Sequence, residues 1–386
     1  MSMDERVAAF LNGESLAVEV EAIETELTQL WKSAAEKKLA RAGAATLLVY
    51  SPHEGAYENA ASALAALAPR YASRLIAMIA APEADENALS AHISAHFHEA
   101  EGRRTGSEQI TLLARGNTGD RLVETVTPLL VEKQPVVLWW QGELPEEEAL
   151  FEKLLNASGH LIFDSSDGRD AGNTLSQARA LSLSWKNGSA GDLNWLRLAP
   201  WRELIAKFMD SAPAAALRHQ VAEVTLEVNA AAEGDAHFAK PFLLFGWLAG
   251  LLGWKLNEPL TPVPAEPATG NASVYRTAWQ NKEKETAGKI ILRQPEADAD
   301  PAGAAGAMTS IQILFQPSAE PVVVAMQRNL ATGQVTIRIR QGEQTLSEST
   351  AAFPEATVAE LLAQEMAREG RDPAYESALR FATQLI

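Results

Sequence analysis

Between residues 46 and 164, short apolar runs recur with helical stretches between them, and this alternation limits the possible folds more than any other feature of the chain. Residues 46–50, 74–80, 135–140 and 160–164 each hold an unbroken run of apolar residues, so both faces of each extended segment must be buried. Only a sheet covered on both sides accommodates that pattern. Residues 58–67, 119–131 and 146–156 have the composition of the covering helices. The prediction is an α/β domain with a mostly parallel sheet in Rossmann-like layers. Residues 92–97 and 109–114 read as two further strands, with polar residues 101–107 as the turn between them, so one antiparallel insertion is expected. Ahead of the sheet, residues 15–40 read as one amphipathic helix capped by Ser15, with Val20, Ile23, Leu27, Leu30 and Ala34 along its seam. Behind it, residues 175–185 and 193–209 read as helices, with Pro200 forcing a break in the second.

The second half differs in kind. Residues 241–254 carry no charge, and Gly246 and Gly250 form a Gly-x-x-x-Gly. A bilayer-spanning helix needs about 20 apolar residues, so this stretch reads as a buried core helix whose glycines admit a closely packed neighbour. Residues 221–228, 273–280, 288–293, 310–316, 321–327 and 334–340 read as strands. The last shows period two, with Val335, Ile337 and Ile339 on one face and Thr336, Arg338 and Arg340 on the other. Residues 258–270, with four prolines, read as an extended loop, and residues 356–386 as two helices split at 370–373. Strands without intervening helices make an antiparallel sheet, hence an α+β domain. With residues 211–216 as junction, the expected domains are 1–212, α/β with its N-terminal helix, and 213–386, α+β.

The chain holds 33 Lys and Arg against 50 Asp and Glu in 386 residues, a net charge of −17. That charge repels phosphate backbones and anionic lipid, which argues against nucleic-acid and membrane partners. There is no cysteine, so disulfides, thiolate catalysis and Cys-ligated metals are excluded. With no signal segment visible, a cytoplasmic protein is expected.

The sequence carries no motif for phosphate binding or nucleophilic catalysis. Neither Gly-x-x-x-x-Gly-Lys-Ser/Thr nor Gly-x-Gly-x-x-Gly occurs, and Gly303-Ala-Ala-Gly306 falls in a loop, so the Rossmann-like layers lack a phosphate-cradling turn. Gly-x-Ser-x-Gly is absent as well. His92, His96 and His98 share one face of a strand, but a metal site draws ligands from separate elements, so a solvated face is the better reading. Glu143 and Glu146–Glu148 follow the strand at 136–140, where acid/base groups could act; acidic residues opening a helix satisfy its dipole without any function. No catalytic, cofactor or metal residue is assigned. The tryptophans are the unusual element. Trp195 and Trp201 fall close to Arg197 and Arg202, and Trp and Arg dominate protein–protein hot spots.

The segment Asp192-Leu-Asn-Trp-Leu-Arg-Leu-Ala-Pro-Trp-Arg-Glu-Leu-Ile-Ala-Lys-Phe208 resembles the glucose-6-phosphate dehydrogenase assembly protein family (OpcA), as do 135–145, 163–166, 107–112 and 246–254. The resemblance covers about residues 40 to 255. It implies a non-catalytic allosteric activator, without cofactor, that binds glucose-6-phosphate dehydrogenase in the oxidative pentose phosphate pathway. Photosynthetic members are linked with thiol-based control, and a chain without cysteine departs from that. Trp195, Arg197, Trp201 and Arg202 are the expected partner-binding residues. The alternative is a sensor of sugar phosphate or nucleotide, or an enzyme, working at the carboxyl edge of the α/β sheet.

Overall fold

A computed structural model describes residues 2–35, 40–41, 45–71, 74–100, 103–131, 133–146, 148–211, 217–229, 238–264, 272–281, 284–293, 306–317 and 320–386. The chain divides into two compact units. The first takes Met1–Asp164, Trp185–Leu193 and Ala356–Arg371; the second takes Ser165–Ser184, Asn194–Glu355 and Asp372–Ile386. A single cut between 212 and 213 therefore does not describe the grouping. The helix Ala171–Ser184 and residues 194–211 belong with the second sheet, and the helix Val358–Ala367 with the first. That last helix buries Leu361 and Leu362 and packs on the helix Glu54–Tyr71. Residues 212–216 of the expected junction lie outside the described residues.

The first unit is built on β1 (Leu16–Val18), β2 (Ala40–Arg41), β3 (Thr46–Ser51), β4 (Arg74–Ala81), β5 (Ala88–Ala100), β6 (Arg103–Arg115), β7 (Val136–Trp140), β8 (His160–Phe163) and β9 (Ser189–Asp192). They lie in the order β1-β5-β6-β4-β3-β7-β8-β9, with β2 beside β6. From β6 to β9 every neighbouring pair is parallel. Counted along the chain, that run has the 3-2-1-4-5-6 order of a doubly wound dinucleotide-binding sheet. Leu47, Leu48, Val49, Leu75, Ile76 and Leu138 have no exposed surface, as strands covered on both faces require.

The antiparallel insertion is the hairpin β5–β6. It is longer than the apolar signal, because β6 begins at Arg103 and residues 103–107, read as turn, are paired with β5. The N-terminal helix is also corrected. Leu16–Val18 pairs with β5 as an edge strand, a 3-10 turn covers Val20–Ala22, and the helix proper is Ile23–Ala35. Its seam holds, with Ile23, Leu27 and Leu30 buried, but Ser15 caps nothing there. A further helix, Met3–Leu11, carries a capping box from Ser2 and Glu5.

The second unit holds an eight-stranded sheet in the order β11-β12-β13-β10-β14-β15-β16-β17, from β10 (Val221–Asn229), β11 (Lys255–Val263), β12 (Ser273–Asn281), β13 (Lys284–Arg293), β14 (Met308–Phe315), β15 (Val322–Asn329), β16 (Gln334–Gln341) and β17 (Gln344–Ala352). It is antiparallel except for β10 beside β13. The proline-rich stretch expected to be a loop is in part β11, an edge strand. Prolines survive there because an edge needs no second ladder, and register shifts at Glu258 relieve the pairing. Residues 265–271 lie outside the described residues. The apolar stretch is the helix Ala239–Leu252, ended by Gly253 at φ +69°. As expected, its glycines face a close neighbour. An added Cβ at Gly246 would lie 2.1 Å from the Ala378 carbonyl oxygen, and at Gly250 2.7 Å from Ser377 Oγ, both on the helix Pro373–Ala382. No helix among the described residues is long and apolar enough to cross a membrane.

Candidate functional site

In a sheet of this order, ligands bind at the carboxyl ends of the strands, in the crevice where the winding reverses. Here that point lies between β3 and β7, and the chain's own side chains occupy it. Tyr50 and Trp140 are a register pair at the carboxyl ends of the two strands, one residue before the last of β3 and the last of β7, and stack at 3.9 Å between centroids. Phe151 packs edge-on against Trp140 at 4.9 Å. Ser51 Oγ donates to Gln141 Oε1, Gln141 N donates to the Tyr50 carbonyl at 3.0 Å, and Trp140 Nε1 donates to the Glu143 carbonyl at 3.0 Å. Burial, with Glu148 nearby, pushes the Tyr50 hydroxyl up to about 12, so it stays protonated and takes no part as a base. The expected first turn of an acidic helix is corrected too, since the helix Ala149–Asn156 starts after Glu143, Glu146 and Glu148. Burial raises the Glu148 carboxyl.

The turn from β3 into the next helix has been converted in the same direction. Where a dinucleotide-binding turn places glycines, this one reads Ser51-Pro52-His53-Glu54-Gly55. His53 Nδ1 accepts from the Ala56 amide at 3.0 Å, so a side chain takes a helix-end amide that a pyrophosphate would otherwise claim. Glu54 adds a negative charge in the first turn, which opposes a bound phosphate. At this edge the residues do not fit a dinucleotide.

The residues expected at a partner interface lie in the second unit, and two of them are interior. Trp195 and Trp201 are 1% and 2% exposed. Trp195 Nε1 donates to Asp372 Oδ2 at 2.9 Å, and Asp372 caps the helix Pro373–Ala382 by accepting from the Ala374 and Tyr375 amides. The Arg202 guanidinium lies 3.5 Å from the centroid of the Trp195 ring. Burial lowers Arg202 to about 10, against the pull of Asp372 and Glu203, so it remains a cation at neutral pH. Trp201 packs on Phe353 at 4.7 Å, and Arg328 covers the other ring contact of Phe353 at 4.7 Å. Arg197 is half-buried. Pro200 starts the helix Ala199–Met209 after a break from Leu193–Arg197, as expected. The Trp/Arg motif therefore fastens this helix pair to Asp372 and Phe353. Sequence spacing could not separate this from an interface, because hot spots and cation–π staples use the same residues.

Of the histidines, His96 Nε2 is hydrogen-bonded to Gln109 Oε1 at 2.7 Å, and the side chain of His98 lies outside the described residues. No group of three or more potential metal ligands occurs among the described residues.

Residues 64–180 match the glucose-6-phosphate dehydrogenase subunit N-terminal domain family, and residues 189–379 match the corresponding C-terminal domain family. The chain belongs to the OpcA family. Relatives named OxPP cycle protein OpcA come from Nostoc punctiforme, 25% identical over 81% of this chain and 65% of that one, and from Synechocystis, 24% identical over 72% and 56%. The chain thus spans less than two thirds of the length of these relatives. Among solved structures it is similar in fold to a glucose-6-phosphate 1-dehydrogenase from Mycobacterium avium, with a TM-score of 0.51, 11% identity, and coverage of 88% of this chain and 90% of that one.

Proposed function

We propose that this OpcA-family chain is a non-catalytic partner of glucose-6-phosphate dehydrogenase in the oxidative pentose phosphate cycle. It binds the enzyme and shifts it towards its active state. The observation that carries the non-catalytic part is the switch point of the first sheet. The stack of Tyr50 on Trp140 and the Ser51–Gln141 bond fill it, and His53 and Glu54 stand where a phosphate turn would be. The family match supports the choice of partner. Activation requires tighter binding to the active enzyme than to the inactive one, so a tenfold preference corresponds to about 1.4 kcal/mol of shift.

In this reading Trp195, Arg197, Trp201 and Arg202 support the interaction by holding the surface around them in shape. Purified chain titrated into glucose-6-phosphate dehydrogenase should raise the rate of NADP reduction to a plateau, while the chain alone reduces none. A dehydrogenase rate unchanged at saturating chain would refute the activation, and turnover by the chain alone would refute the non-catalytic assignment. The motif's role has its own test. Arg202→Ala removes the cation over Trp195 and should cost about 1–2 kcal/mol of stability, seen as a lower Tm. Affinity for the dehydrogenase should persist well below that Tm. Lost affinity at unchanged Tm would place Arg202 in the contact itself.

A further inference from the structure

The first unit has a cleft at the opposite end of its sheet from the switch point. Its volume is about 650 Å³, and it is bordered by the amino ends of β3, β7, β8 and β9 and by residues 366–371. That volume lies within the usual range for small-molecule sites, about 300–1,000 Å³. In a chain of net charge −17, the charged residues that line it are Lys186, Arg368 and Arg371 against Glu369 alone.

The cationic side is built from the floor upward. His160 and Ser189, 9% and 8% exposed, open β8 and β9, and His160 Nδ1 lies 2.7 Å from Ser189 Oγ. His160 Nε2 lies 3.2 Å from Oε2 of Glu365, a carboxylate 2% exposed behind the wall. Arg368 donates to that same oxygen from Nε at 3.0 Å and Nη2 at 2.9 Å, and also to the Ala190 and Gly370 carbonyls. Burial pushes Glu365 up, but the hydrogen bonds from His160 and Arg368 outweigh it and hold the carboxyl below its usual range. Arg368 is thus locked in place with its charge matched by Glu365. Lys186 and Arg371 come from two loops beside it, both exposed, and Arg371 is oriented by a 2.6 Å bond from Nη2 to the Trp185 carbonyl. An oriented guanidinium and an ammonium lining one cleft are the two groups that engage a phosphate, one as a fork and the other as a point charge.

We propose that this cleft binds a small phosphorylated metabolite, with Lys186 and Arg371 on the phosphate and the rest of the molecule over His160 and Ser189. The site does not depend on the dehydrogenase partnership, so its test uses the chain alone. Calorimetric titration with glucose 6-phosphate and inorganic phosphate, at matched ionic strength, should show saturable one-site binding. The sugar phosphate should bind at least tenfold more tightly than phosphate, since only it fills the volume. The double variant Lys186→Ala/Arg371→Ala should weaken sugar-phosphate binding at least tenfold at unchanged Tm, because both side chains are exposed. Lys207→Ala/Arg380→Ala, which removes the same charge from the other unit, should leave binding intact. No saturable binding to the unaltered chain, equal loss in both double variants, or equally tight binding of citrate would each overturn the assignment. If the cleft variant has a lowered Tm, Arg371→Lys replaces it, and undiminished binding by that variant would remove the guanidinium from the site.

Discussion

Gly246→Ala is expected to destabilise the second unit by about 3 kcal/mol, although alanine is the better helix former by about 1 kcal/mol. The added carbon would stand 2.1 Å from the Ala378 carbonyl oxygen and 2.8 Å from the Ala382 amide nitrogen. Both are backbone atoms of a helix and cannot rotate aside, so the two helices must separate. The two helices pack directly on each other and each buries several side chains, so separation opens a gap in that packing. A loss of this size lowers Tm by roughly 6–12 °C for a unit of this length. Gly250→Ala provides the contrast. Its nearest neighbours are side chains, Ser377 Oγ and the Phe381 ring, which can give way, so its cost should fall below about 1 kcal/mol. Equal melting temperatures for the two variants, in either direction, would mean that backbone contact does not set the spacing.

Arg74→Met should cost about 3–5 kcal/mol, the range for breaking one side of a buried ion pair. Arg74 is 4% exposed and Glu108 1%, joined at 2.6 Å between Nε and Oε1. Trp31 Nε1 also donates to Glu108, and Arg74 reaches the Leu129 carbonyl and Glu24. Without the guanidinium, Glu108 would be a buried carboxylate that has lost its charged partner. The double variant Arg74→Met/Glu108→Gln removes the orphaned charge and should recover most of the loss. Glu24→Ala should cost less than about 1 kcal/mol, because that carboxylate is half exposed and well solvated. Thermal denaturation of the three variants is sufficient. Failure of the second substitution to rescue the first would show that the cost lies in packing and not in charge.

The sequence made visible whatever burial stamps onto composition. β3, β4, β7 and β8 are apolar at successive positions because both their faces are covered, so their existence and parallel pairing could be read directly. Gly246 and Gly250 announced a close approach because nothing else in the uncharged stretch 241–254 requires two glycines four apart. The edge strands were harder. β1, β11 and β17 carry weak or mixed patterns, since an edge strand has a solvated side, and Pro259 and Pro262 argued outright for a loop. β9, Ser189–Asp192, is too short and too rich in small residues to register. The switch point was half legible: missing glycines showed that no phosphate turn exists, but only the pairing of Tyr50 with Trp140 shows what fills the space. The cleft was invisible, because Lys186, Arg371 and His160 are far apart in sequence and each is unremarkable alone. The Trp/Arg motif was visible and its place was not, since composition does not distinguish an inward tryptophan from an outward one.

The first unit takes its last helix from residues 356–371, long after its last strand in the chain. A ribosome making this chain therefore completes the strands of the second sheet before it supplies that helix to the first unit. During that interval Gly191, over which the Glu365 carboxylate sits in the finished fold, and His160, which that carboxylate engages, lack their counterpart. The second unit likewise waits for the helix Pro373–Ala382 to cover Gly246. A chain cut before residue 356 would lack both helices and leave two apolar faces uncovered, the kind of surface on which chaperones and proteases act.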